Sequence, residues 1–326
     1  MDEDNQGISG IEKYFDKKLK GDKLMNSPLR LGLDSNLQHI IREELLIAQK
    51  NFEALGSAAI LMNINNGEIL SLLSLPDYDL NQRKKINSNI YMNKITKGVY
   101  EMGSVFKSFT IAAGLENEVI KKDSVFNDLE NEISCAEHTI SEHDDLPKNL
   151  TVEQILIRSS NIGAVRIAQK VGMNAYRDFL NSLKLFEKID FEFEEIGTPL
   201  PFKWGKCKLA TASFGHGITT TPLQLARAYA ILGNGGYEIK PSILKKSNIS
   251  IVTRKRIISS ETSRSINSML RKVVALEEGT ANFANISGYE VGGKTGTSLK
   301  YKDKKKKFNT FVALFPASKP KYVLLV

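Results

Sequence analysis

The sequence has few of the residues that cross-link a chain or anchor it in a membrane. Its 326 residues include 2 cysteines, 9 prolines and 1 tryptophan. Cys135 and Cys207 allow one disulfide at most, and because nothing in the sequence brings them together we expect two unpaired, partly buried thiols. No stretch approaches the roughly 20 consecutive apolar residues that span a bilayer. The net charge of +8 lacks the interleaved aromatic residues of a nucleic-acid surface, so we expect no nucleic-acid partner.

The order of apolar runs and turn signals predicts an α+β fold. Asp34 or Ser35 can cap a helix that continues to about Leu55, and capping boxes begin at Thr151 and Thr221. Residues 118–150 are acidic and irregular. Apolar runs that read as strands cover 57–64, 68–75, 290–298, 308–315 and 322–326. A hairpin, then helices, then three strands predict one sheet that joins both ends of the chain and is covered by helices.

A serine and a lysine stand three residues apart at the start of an apolar helical segment. Ser104 and Lys107 flank Val105 and Phe106, and the segment continues with helical spacing to Leu115. Positions i and i+3 share a helix face, so a lysine kept neutral by burial could take the serine proton. The free N–H groups of a helix N-terminus could then stabilise an oxyanion. The arrangement indicates acyl transfer through a serine ester.

Two further motifs follow in chain order, which matters because Ser-x-x-Lys alone is weak evidence. The same pattern recurs at Ser242 and at Ser318, where prolines interrupt any helix. Downstream of Ser104 come Ser159-Ser160-Asn161, a Ser-x-Asn, and Lys294-Thr295-Gly296-Thr297, the one Lys-Thr-Gly in the chain. This ordered set characterises serine β-lactamases and penicillin-binding proteins, in which the identity of the acylation base is disputed.

With these motifs the chain resembles the class B penicillin-binding proteins, whose catalytic domain is a peptidoglycan D,D-transpeptidase, and in particular their cell-division (septal) branch. The resemblance also covers segments outside the motifs: 7–15, 58–81, 213–217, 221–226, 234–236 and 311–317. It implies a five-stranded antiparallel sheet flanked by helical layers, no cofactor and no metal. We expect residues 1–30 to be the remnant of an N-terminal pedestal module, and 31–326 to be a transpeptidase domain cut short at its C-terminal end.

The resemblance also implies a role for each motif residue. Ser104 would attack the penultimate D-alanine of a D-Ala-D-Ala stem peptide, with Lys107 as the base. Ser159 would relay a proton to the leaving amine while Lys294 polarises it, and Asn161 would orient Lys107 and the substrate amide. Thr295, Gly296 and Thr297 would bind substrate along the strand, with glycines 292, 293 and 296 permitting its close approach. The oxyanion would lie between the backbone N–H groups of Ser104 and Thr297.

Several alternatives stay open at this stage. The same nucleophile could serve a D,D-carboxypeptidase or a β-lactamase, and the fold could serve a non-catalytic penicillin sensor or divisome scaffold. We interpret His216 as a turn or packing residue and Lys302–Lys307 as a solvated hairpin tip. The spacing of Cys135, His138 and His143 fits no common structural zinc site, so we expect no metal there. The family further implies β-lactam binding, a membrane glycosyltransferase and other division proteins as partners, and the periplasmic face of the inner membrane as location.

Overall fold

A five-stranded sheet combines strands from both ends of the chain. The computed structural model describes residues 6–21, 28–79, 92–135, 138–246, 254–300 and 303–326. Its strands are β1 Ser57–Asn63, β2 Ile69–Leu75, β3 Val125–Phe126, β4 Glu132–Cys135, β5 His138–Ser141, β6 Leu150–Thr151, β7 Gly292–Lys300, β8 Asp303–Phe315 and β9 Tyr322–Leu325. The main sheet has the order β2-β1-β9-β8-β7, and all its neighbours are antiparallel. β3 pairs with β6 and β4 with β5 in two small sheets.

The last strand lies in the middle of the main sheet. Leu325 in β9 is opposite Ile60 in β1 on one side and Val312 in β8 on the other. β2, next to β1, alternates buried and half-buried side chains along its length, as a strand does when it packs one face against a core. The prediction of an α+β fold built on a five-stranded antiparallel sheet is therefore confirmed.

Helices cover both faces of this sheet. They are α1 Gly10–Tyr14, α2 Asp16–Lys20, α3 Ser35–Asn51, α4 Lys107–Glu116, α5 Val152–Ile157, α6 Asn161–Val171, α7 Met173–Ser182, α8 Lys206–Ala212, α9 Pro222–Gly233 and α10 Ser260–Ala275. α3 packs on β2 and shares a small core with it, whereas α9 and α10 belong to the main core on the opposite face. The predicted caps are present at Asp34, Thr151 and Thr221.

Two local features differ from the sequence-based expectations. The helix predicted from Val105 is preceded by a 3-10 turn, Gly103–Phe106, so that α4 begins at Lys107. The stretch predicted to be irregular contains the β4–β5 hairpin. The basic, Asn-rich stretch 81–97, whose composition predicts a loop, and the lysine-rich tip at 302–307 lie partly outside the described residues.

The expectation of two free thiols is wrong, because Cys135 and Cys207 form a disulfide. The bond joins the end of β4 to α8 across 72 positions of sequence, with a Cα–Cα distance of 5.5 Å. No local pattern could have indicated it, since the two cysteines lie in different elements that are distant in sequence. The disulfide attaches one end of the β4–β5 hairpin to α8.

Candidate active site

Ser104 lies on the 3-10 turn that leads into α4, directly against strand β7. Gly103 has a φ of +61°, and a Cβ built on it would stand 2.3 Å from the carbonyl oxygen of Thr297. Only glycine tolerates both the left-handed backbone and this approach. From the other side, the buried Tyr229 hydroxyl donates to the carbonyl oxygen of Val105 at 2.7 Å. The turn is thus held between the sheet edge and α9.

Lys107 is fully buried and its amine is directed at Ser159. Its Nζ donates to the Ser159 carbonyl oxygen and, at 3.0 Å, to Ser159 Oγ. Desolvation, followed by the positive charge of Lys294, lowers the pKa of Lys107 well below its ordinary value of 10.5, and the charge of Glu142 acts in the opposite direction. A neutral amine can accept a proton. Within the described part of the chain, no hydrogen bond joins Lys107 Nζ to Ser104 Oγ.

Ser159 is the point where the three motifs meet. It follows the C-cap of α5 and has a φ of +59°, a conformation that costs a non-glycine residue energy. Lys294, also fully buried, donates to Ser159 Oγ at 2.9 Å, and burial lowers the pKa of Lys294 to about 7. Ser159 Oγ therefore accepts a hydrogen bond from each of two amines, and its own hydrogen can be donated to a third group.

Asn161 is the first residue of α6 and is held by the last residue of β5 and the residue after it. Its Nδ2 donates to the Ser141 carbonyl oxygen at 2.9 Å, and its backbone N–H donates to Glu142 Oε2 at 2.7 Å. Its Oδ1 is buried and has no hydrogen-bond partner among the described residues. Among the described residues no hydrogen bond joins Asn161 to Lys107, and the acceptor oxygen of Asn161 is free for an incoming N–H group.

The Lys-Thr-Gly strand forms one wall of the site. Thr295 Oγ1 lies 3.1 Å from Thr280 Oγ1, and the exposed Thr297 donates to Asn309 Oδ1 at 3.2 Å. A Cβ at Gly296 would stand 2.3 Å from the Met102 carbonyl oxygen, so this glycine is required for contact with the nucleophile turn.

Glycines 292 and 293 are likewise enclosed by protein atoms, the first by α10 and the second by β8. The expectation that these three glycines also give substrate a close approach to the strand stays a prediction. They let β7 pack closely against the rest of the domain.

A cleft of about 130 Å³ connects these residues. Its lining includes residues from all three motifs: Ser104, Ser159, Thr295, Gly296 and Thr297. It also includes residues outside the motifs: Glu142, His143, Asp144, Leu146, Arg158 and Thr280. A larger cavity of about 1120 Å³ lies elsewhere, beside the segments that follow α7 and α9, and contains none of the motif residues. The chemistry of the lining, rather than the volume, identifies the smaller cleft as the candidate active site.

Comparison with known proteins agrees with this geometry. The family described as penicillin binding protein transpeptidase domain matches residues 57–326. The chain is 33% identical over 332 residues to a probable peptidoglycan D,D-transpeptidase FtsI of Caulobacter vibrioides, covering 98% of this chain and 56% of the relative. It is 30% identical over 353 residues to the peptidoglycan D,D-transpeptidase FtsI of Escherichia coli, covering 99% and 59%. The chain thus spans little more than half the length of these relatives.

The chain belongs to the penicillin-binding protein transpeptidase family. Its curated relatives place it in the class B, division-type branch. Among solved structures, it superposes on the apo transpeptidase domain of penicillin-binding protein 3 from Burkholderia pseudomallei with a TM-score of 0.82 and 28% identity, covering 91% of this chain and 86% of that one. A crystal structure described as a peptidoglycan glycosyltransferase from Burkholderia ambifaria gives a TM-score of 0.81 at 28% identity, covering 90% and 88%.

This transpeptidase domain also contains site residues that the motifs did not predict. Thr280 Oγ1 accepts from Lys294 Nζ at 3.4 Å, and Glu142 approaches the Ser-x-Asn turn from the hairpin side. Each is distant in sequence from the residue it contacts, so periodicity and spacing gave no signal. His216, in contrast, pairs with Glu101 at 3.3 Å and stacks on Phe214, and it does not line the cleft.

Two predicted non-catalytic features can be compared with the structure. Cys135 is in a disulfide and offers no thiolate, and no cluster of metal-ligating side chains occurs within the described ranges. None of the described helices has the length and apolar content needed to cross a membrane.

Proposed function

We propose that this chain is the catalytic part of a septal peptidoglycan D,D-transpeptidase that cross-links stem peptides through an acyl-enzyme on Ser104. The observation that carries the proposal is the convergence of two buried lysine amines, Lys107 and Lys294, on Ser159 Oγ beside Ser104 in one cleft. Burial of both amines favours their neutral forms, which is the state a base requires.

The proposed reaction has two transfers. Ser104 Oγ attacks the carbonyl carbon of the penultimate D-alanine while its proton passes to neutral Lys107. The amide C–N bond breaks, and the departing D-alanine nitrogen takes the hydroxyl proton of Ser159. Lys107 then restores that hydroxyl with the proton it took from Ser104. The amine of a second stem peptide then attacks the ester, and its proton returns to Ser104 as the new amide forms.

Binding and charge stabilisation would come from strand β7 and the nucleophile turn. The backbone N–H groups of Ser104 and Thr297 would receive the oxyanion, and the close approach of Gly103 to Thr297 supports their proximity. Thr295 and Thr297 would bind the terminal carboxylate, and the unpaired Asn161 Oδ1 would accept from the substrate amide. These are the contacts a β-lactam would also use.

We place the protein at the periplasmic face of the inner membrane, with a membrane glycosyltransferase and other division proteins as partners. The division-type relatives support this location, and so does the disulfide, which is favoured in an oxidising compartment. We also propose that residues 1–30 form part of a separate module and that the transpeptidase domain begins near residue 31. The family match begins at residue 57, so residues 1–30 lie outside it.

Incubation with a labelled penicillin, followed by intact-mass analysis and peptide mapping, tests the proposal. We expect one stable adduct on Ser104 and none in the Ser104→Ala variant. An adduct on another residue, or no adduct on the folded protein, would reject Ser104 as the nucleophile. Rapid turnover of penicillin would favour a β-lactamase. Release of D-alanine without cross-linking would favour a carboxypeptidase. Cell division that is still supported by the Ser104→Ala variant would favour a scaffold.

A further inference from the structure

Glu142 joins the β4–β5 hairpin to the Ser-x-Asn turn. Its Oε1 accepts from Ser160 Oγ at 2.5 Å and from the backbone N–H of Ile162 at 2.9 Å, while Oε2 accepts from the backbone N–H of Asn161 at 2.7 Å. One carboxylate thus satisfies three donors at the start of α6. A negative charge at this position is also favoured by the partial positive charge of the helix N-terminus.

The neighbouring residue strengthens the same attachment. Ser141, the last residue of β5, accepts a hydrogen bond from Asn161 Nδ2 through its carbonyl oxygen, so both the backbone and the side chain of Asn161 are tied to one segment. The backbone N–H of Glu142 donates in turn to the Asn131 carbonyl oxygen at 2.9 Å, and the disulfide attaches the hairpin to α8. The hairpin is therefore anchored on one side and holds the turn on the other.

The held turn is the one that presents Ser159. Ser159 has a left-handed backbone, which persists only where surrounding contacts fix it, and its Oγ must stay within reach of both lysines. We propose that Glu142 is a positioning residue for acylation, which holds the Ser159–Asn161 turn against the two lysines and contributes a negative charge to the cleft. This inference rests on the proposed function, because positioning is meaningful only if Ser104 is acylated.

Electrostatics provides a second way for Glu142 to act. Burial and the charge of Lys294, which reaches the site from β7, lower the pKa of Lys107, and Glu142 is the group that raises it. The other charged or titratable side chains at the cleft are His143, Asp144 and Arg158. A helix cap with a purely structural role would affect stability but would leave the titration of Lys107 unchanged.

The test compares Glu142→Gln with a matched charge removal on the same hairpin. Glu132 is exposed on β4 and does not line the cleft, so Glu132→Gln removes an equal charge away from the turn. The rate of acylation by a labelled penicillin is measured against pH for both variants, and the melting temperature is recorded. Glu142→Asp keeps the negative charge but shortens the side chain, so it separates the effect of the charge from the effect of positioning the turn.

We expect Glu142→Gln to lower the acylation rate by about ten- to a hundredfold, the typical consequence of a small misplacement of reacting groups. The acidic limb of its pH–rate profile, where the rate falls as Lys107 becomes protonated, should move to lower pH. Without the carboxylate the pKa of Lys107 is lowered further. Glu142→Asp should be slower than wild type with its acidic limb near the wild-type position, and Glu132→Gln should match wild type.

Two results would overturn the inference while leaving the proposed function intact. One is a Glu142→Gln variant with the wild-type rate and profile. The other is a rate loss explained entirely by unfolding, with the acidic limb unmoved, which would make Glu142 a structural cap. A wild-type protein that forms no adduct on Ser104 would instead reject the proposed function, and this inference with it.

Discussion

Lys294 is unusual at the level of the single residue, because its side chain is completely buried while its amine would ordinarily be charged. The amine has hydrogen-bond acceptors but no carboxylate within ion-pair distance among the described residues. A lysine of this kind makes the folded state less favourable at the pH at which the unfolded chain would keep the proton. The buried amine that makes the site reactive therefore lowers the stability of the folded chain.

We therefore predict that Lys294→Met stabilises the folded protein near neutral pH and impairs acylation. The unfolded chain keeps this proton up to a pKa of 10.5, whereas the folded chain releases it at about 7. Between those values the unfolded state binds more protons, so the free energy of unfolding of wild type rises with pH, and the penalty is fully present below about 7. A gain on the order of a few kcal/mol at neutral pH follows for the variant.

Urea unfolding of wild type and Lys294→Met between pH 7 and pH 9.5 checks this expectation. The difference in the free energy of unfolding should shrink as the pH rises. The exposed Lys97, changed to Met, controls for loss of a lysine and should give a curve parallel to wild type. Parallel curves for Lys294→Met would show that its amine is not neutralised by folding.

The sequence predicted the motif residues of the site but not their supports. Ser104 and Lys107 are close in the chain, and Ser159, Asn161 and Lys294 belong to short ordered motifs, so spacing was enough to select them. Glu142 and Thr280 are ordinary polar residues within irregular stretches, and only the folded chain brings them to Ser159 and Lys294. The free acceptor of Asn161, and the use of glycines for internal packing, also depend on contacts distant in sequence.

At the level of the element, the β4–β5 hairpin is a small unit with a large influence on the site. It has only four residues in each strand, and a hairpin of this size is marginal by itself. The hydrogen bonds of Glu142 hold it at one end and the Cys135–Cys207 disulfide holds it at the other. The long helices were predictable from caps and periodicity, whereas this hairpin lies in a polar stretch whose cysteine partner is in another element.

We therefore expect the paired Cys135→Ser and Cys207→Ser variant to be less stable by about 2–4 kcal/mol, since it loses a cross-link that limits the unfolded chain. Urea unfolding under non-reducing conditions measures the loss. A reducing agent should lower the stability of wild type toward that of the variant and leave the variant itself unaffected. Equal stability of the two proteins under oxidising conditions would contradict a structural disulfide.

At the level of the whole molecule, the sheet makes the two ends of the chain depend on each other. The β1–β2 hairpin was recognisable from its turn, and β7, β8 and β9 from their apolar runs, but strand order does not follow from such runs. The structure inserts β9 between β1 and β8, where Val323 and Leu325 are buried. The nucleophile turn contacts β7 at the edge, so the active site depends on a sheet that β9 completes.

This topology predicts opposite outcomes for two truncations. A variant that ends at Ser318 loses β9, which separates the β1–β2 hairpin from β8 and exposes the core on both sides, so we expect no cooperative unfolding and no penicillin adduct. A variant that begins at Pro28 loses α1 and α2, which are joined to the domain by the half-exposed Lys13–Glu194 ion pair and by the packing of Phe15.

The second variant should melt at a lower temperature but keep the acylation rate of the full chain, because neither helix belongs to the sheet or lines the cleft. Circular dichroism melts and labelled-penicillin acylation distinguish the two cases. Normal acylation by the variant lacking β9 would mean that the sheet order is wrong. Loss of acylation in a folded chain beginning at Pro28 would mean that the N-terminal helices take part in forming the site.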